Sequence, residues 1–205
     1  MLNVPLLPHT LEDMSAARTH FREALSLLSN LIEDEAFISS VDSASKALSS
    51  CLQSGGKILS CGNGGSMSDA MHFAEELSGK FREDRPAYAA IALSSPAHIT
   101  CVANDYGFDK IFSRGIEALG CQGDVLLAIS TSGNSSNVLE AARAAKSKGM
   151  KVLALTGGDG GELASLSDYE IRIPWDGYSD RVQEMHIKCI HAMIDSIERS
   201  FISFS

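Results

Sequence analysis

The spacing of apolar positions changes once along the chain. Over residues 10–31 they fall at Phe21, Ala24, Leu25 and Leu28, steps of three and four that predict a helix with one apolar face. Thr10 is placed to cap it, with Glu12 and Asp13 in the first turn. A second helix is predicted over 35–53, stopped by Gly55-Gly56. From Lys57 onward, short apolar runs alternate with helical stretches. Strands are predicted over 57–61 (KILSC), 88–93 (YAAIAL), 124–130 (DVLLAIS), 151–156 (KVLALT) and 169–173 (YEIRI). Helices are predicted over 66–77, around 97–104 and 108–119, over 135–148, and over 180–201. Strands that are apolar almost throughout are covered on both faces. Right-handed crossovers through the intervening helices then give an α/β fold: a doubly wound, five-stranded parallel sheet flanked by helices. Residues 1–54 form an N-terminal helical extension of this sheet domain. No linker, low-complexity segment or internal repeat divides residues 1–205, so one domain is expected.

Composition narrows the partners. With 44% hydrophobic residues in 205, the chain can fill a core without disulfide or metal staples. A net charge of −9 argues against nucleic acid as the main partner, because neutralising a phosphate backbone needs clustered Lys and Arg. A small phosphorylated ligand stays compatible, since backbone N–H groups and hydroxyls can hold one phosphate. Five cysteines, with no CxxC pair, read as free thiols in a reducing compartment. The opening MLNVPLLPHTLEDM has neither the basic start nor the apolar run of a secretory signal, and no stretch reaches the ~18 apolar residues of a membrane span. A cytoplasmic protein that does not engage a membrane is expected.

Two strand-to-helix junctions stand out, SCGNGGSMSDAMHFAEEL and AISTSGNSSNVLEAA. Ligands of open parallel sheets bind beyond the carboxyl ends of the strands, where both junctions must lie. The second gathers Ser130, Thr131, Ser132, Ser135 and Ser136 around Gly133, just before a helix whose first N–H groups are free. That is an anion site built without lysine; the plainer alternative is a turn and a cap. The first junction, Asn63-Gly64-Gly65-Ser66-Met67, matches neither GxGxxG nor a Walker loop, so it serves either a ligand or a tight turn.

Beyond the first junction, His72 and Glu76 share a helix face at i, i+4, with Met71, Ala74 and Leu77 expected to face the core. On the last helix, Gln183 falls among Val182, Met185, Ile190, Met193 and Ile197, and His191 lies at the margin of that sector. His186, inside it, is expected to be a hydrogen-bonded core residue. Together His72, Glu76, Gln183 and His191 could bind a divalent metal, although Gln is an unusual ligand. The alternative is two satisfied polar residues on each of two helices.

The runs LSCGNGGS, MHFAEEL, ANDYGF, GDVLLAISTSGNSSNV, LTGGDGG and DRVQEMHIKCIH, in that order, resemble the phosphoheptose isomerase family of the SIS (sugar isomerase) class. The resemblance implies conversion of sedoheptulose 7-phosphate to D-glycero-D-manno-heptose 7-phosphate through an enediolate, for ADP-heptose and lipopolysaccharide core synthesis. It assigns the substrate phosphate to Ser130, Thr131, Ser132 and Ser135. The sugar chain falls to Asn63, Gly64, Gly65, Ser66, Asn104, Asp105 and Gln183. One zinc ion per subunit would be held by His72, Glu76, Gln183 and His191, with Glu76 as the base and His191 as its acid/base partner. It also implies a homotetramer, built partly by the leading helices, with active sites at subunit interfaces. Family members often carry His at Met67 and Arg at Lys80; the second change removes bidentate geometry.

Two other readings stay open at this stage. SIS proteins that bind the bacterial replication initiator share both loops but lack the acid at Glu76 and the histidine at His191. SIS enzymes acting on pentose or amino-sugar phosphates usually carry further domains, for which 205 residues leave no room.

Overall fold

The computed structural model describes residues 15–202, so the expected cap at Thr10 lies outside the described residues. Helix α1 (Ala16–Glu33) begins at Ser15, whose hydroxyl accepts the Arg18 N–H. Asp34 alone separates it from α2 (Glu35–Gln53) and caps that helix by accepting the N–H groups of Ala36 and Phe37. Then follow β1 (Ile58–Gly62), α3 (Gly65–Ser78), β2 (Ala90–Ala92), α4 (Pro96–Tyr106), a 3-10 turn at Phe108–Lys110, and α5 (Ser113–Leu119). The chain continues as β3 (Val125–Ser130), α6 (Ser136–Ser147), β4 (Lys151–Gly157), α7 (Gly161–Leu166), β5 (Tyr169–Ile173) and α8 (Ser179–Ile202).

All five strands are parallel, in the order β2-β1-β3-β4-β5. The chain moves outward from β1 to β2 and then returns to the other side of β1, so the winding reverses between β1 and β3. Ligand crevices open at such a reversal, at the carboxyl ends of the strands. Side chains alternate between two cores. Leu127, Ile129, Leu153, Leu155 and Ile171 pack with α1, α2, α3 and α8. Leu126, Ala128, Val152 and Ala154 pack with α4, α5, α6 and α7 on the other face. Both faces are therefore covered, as the apolar strands require.

Two expectations, the 108–119 helix and the place of Met71, need correction, and α7 and the burial on α1 add to the reading. The stretch 108–119 is not one helix: the 3-10 turn ends, and α5 begins only after Ile111 and Phe112 have turned into the core. Helix α7, six residues wedged between glycines and β5, was not anticipated. On α1 the buried line is Leu27 and Leu31, whereas Phe21 and Leu25 are 78% and 65% exposed. On α3, Ala70, Phe73, Ala74 and Leu77 form the buried face; Met71 sits outside that arc and is exposed.

His186 is the core residue the pattern predicted. It is fully buried, and its Nε2 lies 2.9 Å from the Thr156 carbonyl. A carbonyl only accepts, so Nε2 carries the proton and Nδ1, buried without a partner among the described residues, keeps a lone pair. Burial pushes its pKa down from 6.5 to about 4. Below pH 6.5 the unfolded chain takes up a proton that the folded chain refuses, so this stability is lost as pH falls toward 4, at about 1.4 kcal/mol per unit. Asp69, raised from 3.8 to about 6 by burial, acts with the opposite sign in the same window. The difference between wild type and His186→Gln isolates the histidine. In urea titrations, wild type is expected to lose stability relative to the variant by about 1 kcal/mol per pH unit between pH 6.5 and 4.5.

Candidate active site

The two sequence-predicted loops meet at the winding reversal. After β1, Gly64 takes a positive φ of 55° and α3 begins with no side-chain cap. After β3, α6 also begins with no side-chain cap, because the Ser135 hydroxyl accepts from Ser130 at 3.0 Å instead. Two helix N-termini with free N–H groups therefore stand side by side above β1 and β3. A reciprocal amide pair joins them: Asn63 donates to Asn137 at 2.8 Å and Asn137 donates back at 2.9 Å. The Asn63 side chain is committed to that tie and Ser66 is buried, which leaves the exposed Gly64 and Gly65 backbone to meet a ligand.

The serine loop is held from behind by a second glycine loop that carried no assigned role in the sequence. A Cβ on Gly133 would stand 1.9 Å from the Gly160 carbonyl oxygen, and Gly133 has φ +65°. Leu163 N–H donates to the Gly133 carbonyl at 2.9 Å. Asn134 locks the turn, donating to the Ser132 carbonyl at 2.9 Å and accepting the Glu162 N–H at 3.0 Å. Thr131 and Ser132 open onto a cavity of about 310 Å³ that extends past Gly158 to Trp175 and Val182.

Helices α3 and α8 lie side by side and run in the same direction. At their starts, Gly65 is packed so closely on the Gln183 amide that a Cβ there would meet it at 2.6 Å. Further along, His72 and His191 bring their Nε2 atoms to 3.0 Å. Glu76 Oε1 lies 3.4 Å from the same His72 nitrogen. Of the expected cluster, His72, Glu76 and His191 thus converge. Gln183 starts two turns earlier, about 12 Å down the axis, with its amide against Gly65. Asn104 and Asp105 end α4 exposed, bonded to each other rather than to either loop. Met67 is half-buried against the α4–α7 core, and Lys80 is exposed.

Two carboxylates missed by the sequence reading join the cluster. Glu75 Oε1 stands 3.3 Å from His72 Nδ1, which favours the proton on Nδ1 and leaves the Nε2 lone pair facing His191 and Glu76. Asp69, one turn before His72, has a buried oxygen without a hydrogen-bond partner among the described residues. Neither had a signal beyond lying one turn from His72. Burial, and then the neighbouring His72, lower the His191 pKa, so its imidazole is neutral at neutral pH. Its ring also stacks on Phe81 at 5.7 Å.

Ligand atoms of His72, Glu75 and Glu76 lie within 4.8 Å of one another. A tetrahedral zinc ion, with bonds of about 2.0–2.1 Å, holds its ligand atoms roughly 3.3 Å apart. The 3.0 Å and 3.4 Å separations around His72 Nε2 are close to that edge, and imidazole with carboxylate is a donor set that zinc accepts. These residues fit a divalent ion.

Comparison with known proteins shows the family and the fold. Residues 19–157 match the model of the SIS domain family. The phosphoheptose isomerase of Pectobacterium atrosepticum is 56% identical over 182 residues, 89% of this chain and 94% of that protein. That of Vibrio cholerae serotype O1 is 54% identical over 182 residues, 89% and 95% of the two chains. Among solved structures, phosphoheptose isomerase GmhA from Neisseria gonorrhoeae superposes with a TM-score of 0.83 at 42% identity, covering 89% of this chain and 97% of that one. A phosphoheptose isomerase from Francisella tularensis gives 0.84 at 39%, covering 91% and 100%. A family model matching most of the chain, relatives more than half identical over nearly all of it and a shared fold make the conclusion direct: this chain is an isomerase and belongs to the phosphoheptose isomerase family of SIS-domain proteins.

Proposed function

We propose that the chain converts sedoheptulose 7-phosphate to D-glycero-D-manno-heptose 7-phosphate through an enediolate, supplying ADP-heptose for lipopolysaccharide core. The observation that supports this most is the convergence of Glu76, His72 and His191 from two helices beside an uncapped, hydroxyl-rich loop. Ser130, Thr131, Ser132 and Ser135, with the first N–H groups of α6, hold the phosphate. The backbone of Gly64 and Gly65, with Asn104, Asp105 and Gln183, lines the sugar. Anchoring the distant phosphate positions C1 and C2 against the helix pair and lowers the entropic part of the barrier. The Glu76 carboxylate takes the proton from C1, and the neutral His191 imidazole moves protons at the two oxygens. His72, Glu76 and His191 would hold a zinc ion, which would supply positive charge where those oxygens become negative, while Gln183, two turns down α8, would stay on the sugar side.

We further infer a homotetramer. Phe21, Leu25 and Ile32 form an exposed apolar stripe on α1, 78%, 65% and 57% exposed in the single chain, and a second copy would cover it. The five unpaired cysteines suit a reducing compartment, and the cytoplasm is the site of action we propose. No helix among the described residues is long and apolar enough to cross a membrane.

The test is steady-state turnover of sedoheptulose 7-phosphate by wild type and by Gly133→Ala. Wild type is expected to form the aldose heptose phosphate. The variant, forced to push the serine loop off Gly160, is expected to raise KM at least about tenfold with a smaller change in kcat, because the phosphate grip contributes binding energy. Absence of product from active-site-intact wild type would refute the assignment.

A further inference from the structure

Arg85 lies in the loop between α3 and β2, nine residues after Glu76 and outside every motif assigned to the site. Its guanidinium is almost wholly buried, with the side chain 9% exposed, and all its bonds go to two helices and its own loop. Nη2 donates to the Glu76 carbonyl at 2.6 Å. Nη1 donates to the carbonyls of Leu77 at 2.7 Å, Pro86 at 3.2 Å and Gly79 at 3.3 Å. Nε donates to Glu198 Oε1, on α8, at 2.8 Å. The group also sits 4.3 Å over the Tyr88 ring.

The carbonyls at a helix C-terminus have no partner within the helix, and a cation there also meets the negative end of the dipole. Here that cation is tied at the same time to the neighbouring helix. Helices α3 and α8 therefore touch at three levels: Gly65 on Gln183, His72 on His191, and the end of α3 on Glu198 through Arg85. The clamp grips the backbone of Glu76 itself. On α8 it grips a point seven residues, about 10 Å, beyond His191.

We propose that Arg85 is a positioning residue for the catalytic pair: by holding the Glu76 carbonyl and the Glu198 carboxylate at once, it fixes the carboxylate on α3 against the imidazole on α8. The inference rests on the assignment of Glu76 and His191 proposed above. Lysine cannot replace it, because a single ammonium on a flexible stem lacks the planar fork that spans two helices. The phosphate loop lies at the opposite end of α3, so the clamp governs kcat rather than KM.

Four variants test this against sedoheptulose 7-phosphate, with melting temperature measured alongside. Arg85→Lys is expected to lower kcat about tenfold or more while KM stays within about twofold, since a misplacement near 1 Å can cost roughly 100-fold. Glu198→Ala is expected to do the same, and Glu198→Gln, whose amide oxygen still accepts from Nε, to recover most of the lost kcat. Ile116→Val, a cavity on the far face of the sheet, is expected to lower the melting temperature with kcat unchanged. The proposal is overturned if Arg85→Lys keeps kcat within about twofold, if its KM rises in step with the loss, if Glu198→Gln is no better than Glu198→Ala, or if Ile116→Val loses kcat as much. Near-normal turnover by Glu76→Gln overturns the underlying site assignment instead, whatever the Arg85 variant does.

Discussion

Glu76→Gln is expected to lower kcat for sedoheptulose 7-phosphate at least about 100-fold, the lower end of what a positioned general base contributes. The substitution keeps the size of the side chain and removes its basicity. Glu76 is only partly buried, with its side chain 16% exposed and, among the described residues, the His72 imidazole as its ion-pair partner, so the fold should tolerate the change. The melting temperature is expected to stay within a few degrees of wild type, and KM within a few-fold, because the phosphate grip lies on α6 and its loop. Steady-state kinetics on the folded variant check both. A rate near wild type would remove Glu76 from the base role.

The second large effect concerns the metal. Prolonged chelation is expected to abolish most of the activity and added zinc to restore it, with metal content followed by mass spectrometry. A separate readout does not depend on turnover. A ligand that binds only the folded state stabilises it by about 2.7 kcal/mol at 100 times its Kd. Zinc should therefore raise the melting temperature of the stripped protein, and His72→Gln should lose that rise, because His72 Nε2 is the nitrogen on which both His191 and Glu76 converge. Full activity in a verified metal-free sample would exclude a required ion.

The sheet was legible because its strands are unambiguous. Every residue of β1 and β3 is buried, and their short, almost wholly apolar runs bounded by glycine or turn residues read as strands covered on two faces. The two ligand loops were legible for a related reason: glycine and serine clusters directly after such runs have no place except at the carboxyl end of the sheet. Periodicity was less reliable on the helices. It placed Met71 in the core because a helix face is read to within about one residue, and α3 turns Ala70 and Phe73 inward instead. It marked Phe21 and Leu25 as part of the apolar face of α1, and hydrophobicity alone does not say whether such a face is buried within the chain.

The supports of the site were not legible. Arg85 and Glu198 are 113 positions apart, and neither lies in a motif. Gly133 and Gly160 meet backbone to backbone, a contact that leaves no pattern of side chains to read. The chemistry-bearing residues were visible because their types are rare on apolar faces. The residues that hold them are ordinary charged and glycine positions whose meaning exists only in three dimensions.

The most direct test of the whole account is proton NMR of sedoheptulose 7-phosphate with the zinc-loaded protein in D2O. Removal of a C1 proton by Glu76 and return of a solvent-derived one at C2 predicts an aldose heptose 7-phosphate carrying deuterium at C2, with the signal absent for Glu76→Gln. A substrate that binds, shown by protection of the protein against thermal unfolding, yet keeps both C1 hydrogens and yields no aldose would contradict it and leave a sugar-phosphate-binding protein without the proposed chemistry.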